Sequence, residues 1–294
     1  MDTHSPHPTP GERQPGASEP HARHSFGEHL RYWRQRRRLS QLALAGEAGV
    51  STRHLSFVET GRAGPSREMV LRLSERLDVP LRDRNTLLAA AGYAPMYRER
   101  ALDDPEMAAA HQAVQLILKS HEPWPALAMD RHWNLVASNR MVPLLLAGIP
   151  PELLQPPVNV LRLSLHPRGL APRIANLAQW RRHLLERLHQ QIRATGDPVL
   201  AALRDELQAL PTQEPAQEVE LAGEHPGVLM PFRFQTPQGV LTLISTVTVF
   251  GSPVDITLQE LALETFFPAD AASAERLRNM LLASEAQHPK SGGS

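Results

Sequence analysis

Arg53 and Phe57 stand one helical turn apart in the run Ser51-Thr-Arg53-His54-Leu55-Ser-Phe57-Val58-Glu59. An arginine guanidinium forks onto the O6 and N7 of guanine, whereas a phenylalanine ring offers only apolar contact, for instance to a thymine methyl. Such a pair reads base edges; it does not make or break bonds. To reach a major groove it needs a helix held outward by a second helix. The preceding residues, Ser40-Gln41-Leu-Ala-Leu44-Ala45-Gly-Glu-Ala48-Gly49-Val50, supply one. Gly49 can take positive φ at the turn. Ala45 and Ala48 are small enough for a close crossing, and Val50, Leu55 and Val58 fill the space between. The two segments predict a helix-turn-helix whose second helix presents its N-terminal half to a duplex.

The surrounding pattern agrees. Leu30, Trp33, Leu44, Leu55, Val58, Val70, Leu73 and Leu77 recur at helical spacing from Phe26 to Ala91. Ser40, Ser51 and Ser66 sit where N-caps belong, and glycines punctuate the segments, so five short helices are expected. The formal net charge of +0 conceals an asymmetry. Phe26–Arg100 holds 14 arginines against eight acids, whereas the chain beyond residue 100 carries 15 basic and 20 acidic residues. A basic unit on an acidic body implies a polyanion for the first and another partner for the second.

Over residues 26–91 the chain resembles the Xre helix-turn-helix family. The resemblance rests on Leu30…Arg34, Leu39-Ser-Gln41, Ala48-Gly-Val50-Ser51, Glu59-Thr-Gly61-Arg62 and Pro65-Ser66. It implies that Gln41 bonds a phosphate and braces the recognition helix, and that Thr52, Arg53 and Phe57 face the bases. It also implies that Ser51, His54, Arg62 and Arg67 lie nearer the backbone, and that Arg34 and Glu59 form a buried ion pair. Beside Gln41, Arg36-Arg-Arg38 is expected to act as a phosphate clamp.

Beyond the Gly92-Tyr-Ala-Pro95 and Asp103-Asp-Pro105 breaks the pattern changes. A helix is expected at 106–120, then strands at 125–129 and 133–137 joined by Asp130-Arg-His132. A helix from Asn139 to Ala147 follows, opened by an Asn cap. Leu177, Trp180, Leu184, Leu188 and Ile192 mark a longer helix, stopped by Gly196-Asp-Pro198, and 199–210 makes another. Alternation at Met230, Phe232 and Phe234, a turn at Thr236–Gly239 and the β-branched run 240–249 predict a hairpin, with a further strand over Leu258–Phe267. The fold class is therefore α+β and multidomain, with an antiparallel sheet in the second domain. The expected boundaries are a tail over 1–25, a DNA-binding domain over 26–95, a second domain over 106–284 and a tail over 285–294.

The second domain is similar to the MmyB-like ligand-binding domain. The matching stretches are Asn159-Val-Leu-Arg162-Leu-Ser-Leu-His166-Pro167-Arg-Gly169, Trp180, Phe250-Gly-Ser-Pro253-Val-Asp255 and Phe266-Phe-Pro-Ala-Asp270. That resemblance implies a PAS-like fold and a fatty-acid-like ligand. On one face of the sheet, Leu241, Leu243, Ser245, Val247 and Val249 can oppose Phe232 and Phe234, with Trp124, Trp133, Met141 and Leu145 closing an apolar cavity. For any single one of these an ordinary core is the favoured reading, so the cavity rests mostly on the resemblance. A carboxylate would need a donor among His166, Arg162, Arg173 and Arg182, of which His166 and Arg173 are the favoured candidates. A haem-binding variant would use His166 or His183 as axial ligand.

The absence of cysteine excludes disulfides and thiolate metal sites. No Gly-x-Ser-x-Gly elbow, phosphate loop or His-Glu-x-x-His pattern appears, so neither an enzyme nor a certain cofactor is expected. Residues 1–25, with five prolines and His4, His7, His21 and His24, read as a solvated tail. With no apolar run of spanning length, a cytoplasmic protein with no membrane partner is expected. One helix-turn-helix buries little surface, so a homodimer on two half-sites of double-stranded operator DNA is expected.

Overall fold

The computed structural model describes residues 25–211, 230–251 and 255–287. Both expected tails, with their histidines, lie wholly or mostly outside these residues. The chain forms two compact units: residues up to Val79 with Thr86–Ala94, and Pro80–Asn85 with Pro95 onward.

In the first unit, α1 (Phe26–Arg36) opens with a capping box in which Ser25 and Glu28 satisfy each other's backbone N–H groups. The helices α2 (Gln41–Ala48), α3 (Thr52–Glu59) and α4 (Arg67–Arg76) each begin on a serine. Ser40, Ser51 and Ser66 accept from the backbone N–H of Ala43, His54 and Met69 at 3.0, 3.2 and 3.2 Å. Gly49 ends α2 at φ +66, the left-handed value that frees its N–H for the carbonyls of Ala45 and Gly46. A fifth helix, α5, spans Leu81–Ala90, of which the part from Thr86 belongs to this unit. Leu30, Leu44, Leu55, Val70, Leu77 and Leu88 are fully buried and form the centre of the core.

The second unit is built on one five-stranded antiparallel sheet in the order β2-β1-β5-β4-β3. Its strands are β1 (Ala126–Met129), β2 (Leu135–Ser138), β3 (Phe232–Thr236), β4 (Gly239–Val249) and β5 (Ala262–Pro268). One face packs against α6 (Ala108–Ser120) through Val114, Leu118, Ala126, Ala128, Leu261 and Leu263. The other face carries the larger core, covered by α7 (Met141–Leu145), α8 (Val160–Leu165), α9 (Leu177–Thr195), α10 (Pro198–Ala209) and α12 (Ala271–Gln287). The apolar stripe of α9 buries Trp180, Leu184 and Leu188 on this face, each contributing about 1.5–3 kcal/mol through burial.

Three local expectations are corrected. Asn139 does not cap a helix from its own position. Its side chain instead joins β1 to α6 and α7, accepting from Ala126 and Met141 and donating to the carbonyls of Leu118 and Trp124. Leu258–Phe267 is not one strand: Ile256–Glu260 forms α11, because Asp255 accepts from the Thr257 N–H at 2.9 Å and starts a helical turn before β5. At the other end of the domain, α12 runs on to Gln287, three residues into the stretch expected as a tail.

Candidate DNA interface and ligand cavity

On α3 the inward side is spent on packing, with Leu55 and Val58 at 0% and 1% exposure. Arg53 remains exposed, and Thr52, His54 and Phe57 are half-buried. The Arg53 guanidinium lies 5.4 Å from the Phe57 ring centroid, so the ring steadies the arginine while its fork stays outward. Ser51, Arg62 and Arg67 are exposed around the ends of α3 and the start of α4. All eight residues expected at the DNA thus fall between the start of α2 and the start of α4: Gln41 opens α2, Ser51 caps α3, Thr52, Arg53, His54 and Phe57 lie on α3, Arg62 follows it and Arg67 opens α4.

Behind this surface lies a charged lock. Arg34 grips Glu59 through two hydrogen bonds of 2.6 and 2.9 Å and also donates to the Leu39 carbonyl at 2.9 Å. Gln41 donates to the same carboxylate at 2.8 Å. Burial works against ionising Glu59. The hydrogen bonds from Arg34 and Gln41, with the charges of Arg34 and Arg31, outweigh it and hold the carboxyl below its ordinary value. One member of the expected phosphate clamp is committed elsewhere. Arg37 donates to the carbonyls of Leu77 and Asp78 at 2.7 and 2.8 Å and stacks on Trp33, capping the end of α4. The unpaired carbonyls at a helix C-terminus carry partial negative charge and attract a cation.

The second unit holds a cavity of about 90 Å³ between the sheet and its helical cover. Pro125, Leu127 and Leu135 come from the β1–β2 hairpin, Val142, Leu145 and Leu146 from α7 and its end, and Val160, Leu163 and Ser164 from α8. Leu170, Trp180, Phe232, Phe234, Leu243 and Phe266 close it. Aromatic packing shapes the floor: Phe232 sits 4.7 Å from Trp180, 5.5 Å from Phe234 and 5.9 Å from Phe266.

Of the residues expected at a ligand, Leu145, Trp180, Phe232, Phe234 and Leu243 line this cavity. Trp133 and Met141 belong to the core around it, with Trp124 packed against that core, and none of the three reaches the lining. Trp133 instead donates to Gln191 at 2.7 Å. Ser245 and Val247 lie further along β4, where β3 no longer runs alongside; Val247 is 44% exposed and pairs in register with Glu264. Glu264 is bridged by Arg187 at 3.1 Å, so that end of the sheet face is polar.

His166 and His183 are also absent from the lining. His166 follows the last residue of α8 and accepts the Arg168 backbone N–H at 3.0 Å. Arg173 stands just behind the wall, 4.4 Å from the Phe234 centroid and 2.9 Å from the Leu145 carbonyl. Burial lowers its pKa. The helix α8 was not anticipated from the sequence. Its six residues are mostly leucine and valine, too short a run for periodicity to speak, and the one signal was Asn159, which caps it by accepting from the Arg162 N–H at 3.0 Å.

Among the described residues no cluster of His, Asp and Glu could hold a metal, and no helix is long and apolar enough to cross a membrane. Two family models match the chain. A helix-turn-helix domain matches residues 25–87, and the MmyB-like transcription regulator ligand binding domain matches residues 110–280. The HTH-type transcriptional repressor RghR of Bacillus subtilis (strain 168) is 34% identical over 126 residues, covering 38% of this chain and 91% of that protein. Among solved structures, an RNA-binding light-oxygen-voltage receptor aligns at a TM-score of 0.25 and 11% identity. That alignment covers 88% of this chain and 62% of the receptor chain, a likeness too slight to carry any argument. With its two units matched in this order, and the second match spanning more than half its length, the chain belongs to the MmyB-like transcription regulators, a helix-turn-helix joined to a ligand-binding domain.

Proposed function

We propose that this regulator binds a (pseudo)palindromic operator sequence-specifically as a homodimer, and that a small apolar, fatty-acid-like molecule in the second unit modulates that binding. The observation that carries the reading is the cavity: its lining side chains are hydrocarbon apart from the Ser164 hydroxyl and the Trp180 indole N–H, and it lies within the matched ligand-binding domain. Such walls select apolar bodies and leave a polar head outside, where His166 and Arg173 flank the α8–α9 segment. At about 90 Å³ the space is smaller than the roughly 150 Å³ of an engineered cavity that holds benzene, so an acyl chain enters as lining side chains turn aside. At the DNA, Arg53, Thr52 and Phe57 read bases, while Gln41, Ser51, His54, Arg62 and Arg67 position the domain on the backbone.

Native mass spectrometry of the purified protein, paired with operator binding before and after extraction of any bound molecule, tests the reading. A retained acyl compound whose removal shifts operator affinity is the expected result. A protein that purifies empty, and whose melting temperature no fatty acid raises, overturns it.

A further inference from the structure

One residue that lines the cavity carries a buried polar group left unanswered among the described residues. Trp180 is 3% exposed and lines the cavity, yet among the described residues its Nε1–H has no hydrogen-bond partner. The neighbouring indole shows that this fold can satisfy such a group, since Trp133 Nε1 donates to Gln191 at 2.7 Å. A buried donor without an acceptor is costly, and native interiors rarely keep one without a use. Water is a poor answer here: a buried water takes two to four polar partners, and among the described lining residues the only polar side-chain groups are the indole N–H and the Ser164 hydroxyl.

An anion is a poor answer as well. No charged side chain is among the lining residues. Arg173, 4.4 Å from the Phe234 ring centroid, donates to the carbonyls of Leu145, Ala147 and Gln235. His183 stacks 5.4 Å from Trp180, and burial, reinforced by Arg187 and opposed by Glu264, holds its ring toward the neutral form. A carboxylate taken into this space would be a buried charge without a counter-charge.

We infer that Trp180 Nε1–H is the polar anchor of the cavity, and that the ligand carries one uncharged oxygen acceptor, the carbonyl of a ketone, ester or amide, within an apolar body. The inference rests on the ligand-sensing reading and narrows it from fatty-acid-like molecules in general to those neutral at the buried end.

Three probes of one ring size test it on the full chain: cyclohexanone, methylenecyclohexane and cyclohexanecarboxylate. The first two differ only in replacing C=O by C=CH₂. In ¹⁵N-labelled protein, cyclohexanone is expected to move the Trp180 indole N–H resonance downfield and to bind about fivefold more tightly than methylenecyclohexane, the worth of one net hydrogen bond. In Trp180→Phe the two are expected to bind alike. The resonance shift in the wild-type protein stands even where that variant fails to fold. Equal binding and equal shifts for the first two probes overturn the anchor while leaving an apolar cavity in place. Tighter binding of the carboxylate overturns the neutrality of the ligand. Failure of all three to bind or to perturb Trp180 overturns the cavity reading itself, and the anchor with it.

Discussion

Gln41 Nε2 lies 2.8 Å from Glu59 Oε2, joining the first residue of α2 to the last residue of α3. The same carboxylate holds Arg34 of α1 through both oxygens, and its side chain is fully buried. One ionised group thus fixes the angle among the three helices that aim Arg53 and Phe57. In the proposed reading, Gln41 serves DNA recognition through this brace, independently of any phosphate contact.

Removing that carboxylate strands Arg34, whose side chain is 11% exposed. Glu59→Ala is expected to destabilise the first unit by about 3–5 kcal/mol, whereas Gln41→Ala forfeits one hydrogen bond and costs about 1 kcal/mol. Urea midpoints on both variants check the ordering. The folded Glu59 carboxyl lies below its ordinary value of 4.5, so its stabilisation is present above that pH and is lost as pH falls through the folded value. Glu59→Gln is expected to abolish that part of the acid slope.

A glycine sets the contact between α1 and α3. A Cβ on Gly27 would stand 2.4 Å from the Glu59 carbonyl oxygen and 2.8 Å from that of Val58, both backbone atoms that cannot swing away. Gly27→Ala is therefore expected to cost about 3 kcal/mol or more despite improving helix propensity. Gly46 is the matched control, with nothing within 4 Å of its Cβ position. Gly46→Ala is expected to stabilise by up to about 1 kcal/mol. Melting curves of the two variants should move in opposite directions.

The first unit was legible in the sequence because its signals are local. A serine cap, a positive-φ glycine and a three- to four-residue apolar step each act within one turn, and together they fix α2 and α3. The cavity was legible only in part. Trp180, Phe232, Phe234 and Leu243 announced themselves as large apolar residues on a predicted helix and hairpin. Val160, Leu163 and Ser164 did not, because their place depends on how α8 folds back over the sheet. Val247 misled for a related reason. Strand alternation assigns it correctly to the face of Leu243, but not how far along β4 the cavity extends.

Specific and non-specific binding should separate by residue. Arg53 is exposed and stacked on Phe57, placed to fork onto a base edge. Arg53→Ala is expected to lose about 1–3 kcal/mol of discrimination at one base pair of each half-site. Arg67, exposed at the first position of α4, faces only backbone in this scheme. Arg67→Ala is expected to weaken all sequences alike and to lower the slope of log affinity against log salt by about 1. Fluorescence anisotropy on an operator and a scrambled duplex, over a salt series, distinguishes the two patterns. Unchanged operator binding in both Arg53→Ala and Gln41→Ala would remove α3 from its assigned role.

The second unit should carry its own pH response, through His183 beside Trp180. Burial is the largest cause lowering the His183 pKa below 6.5; the Arg187 charge adds to it and Glu264 opposes it. A histidine held neutral by the fold binds its proton more readily when unfolded. Its contribution is therefore fully present above pH 6.5 and declines as pH falls toward the folded value, by at most about 1.4 kcal/mol per pH unit for one proton. His183→Gln keeps a neutral polar side chain at the position and is expected to flatten this part of the profile. Urea midpoints read by the unit's tryptophans, taken across the histidine range for wild type and variant, give the comparison. If the two profiles run parallel, His183 titrates freely and the neutral wall behind Trp180 is not maintained by burial.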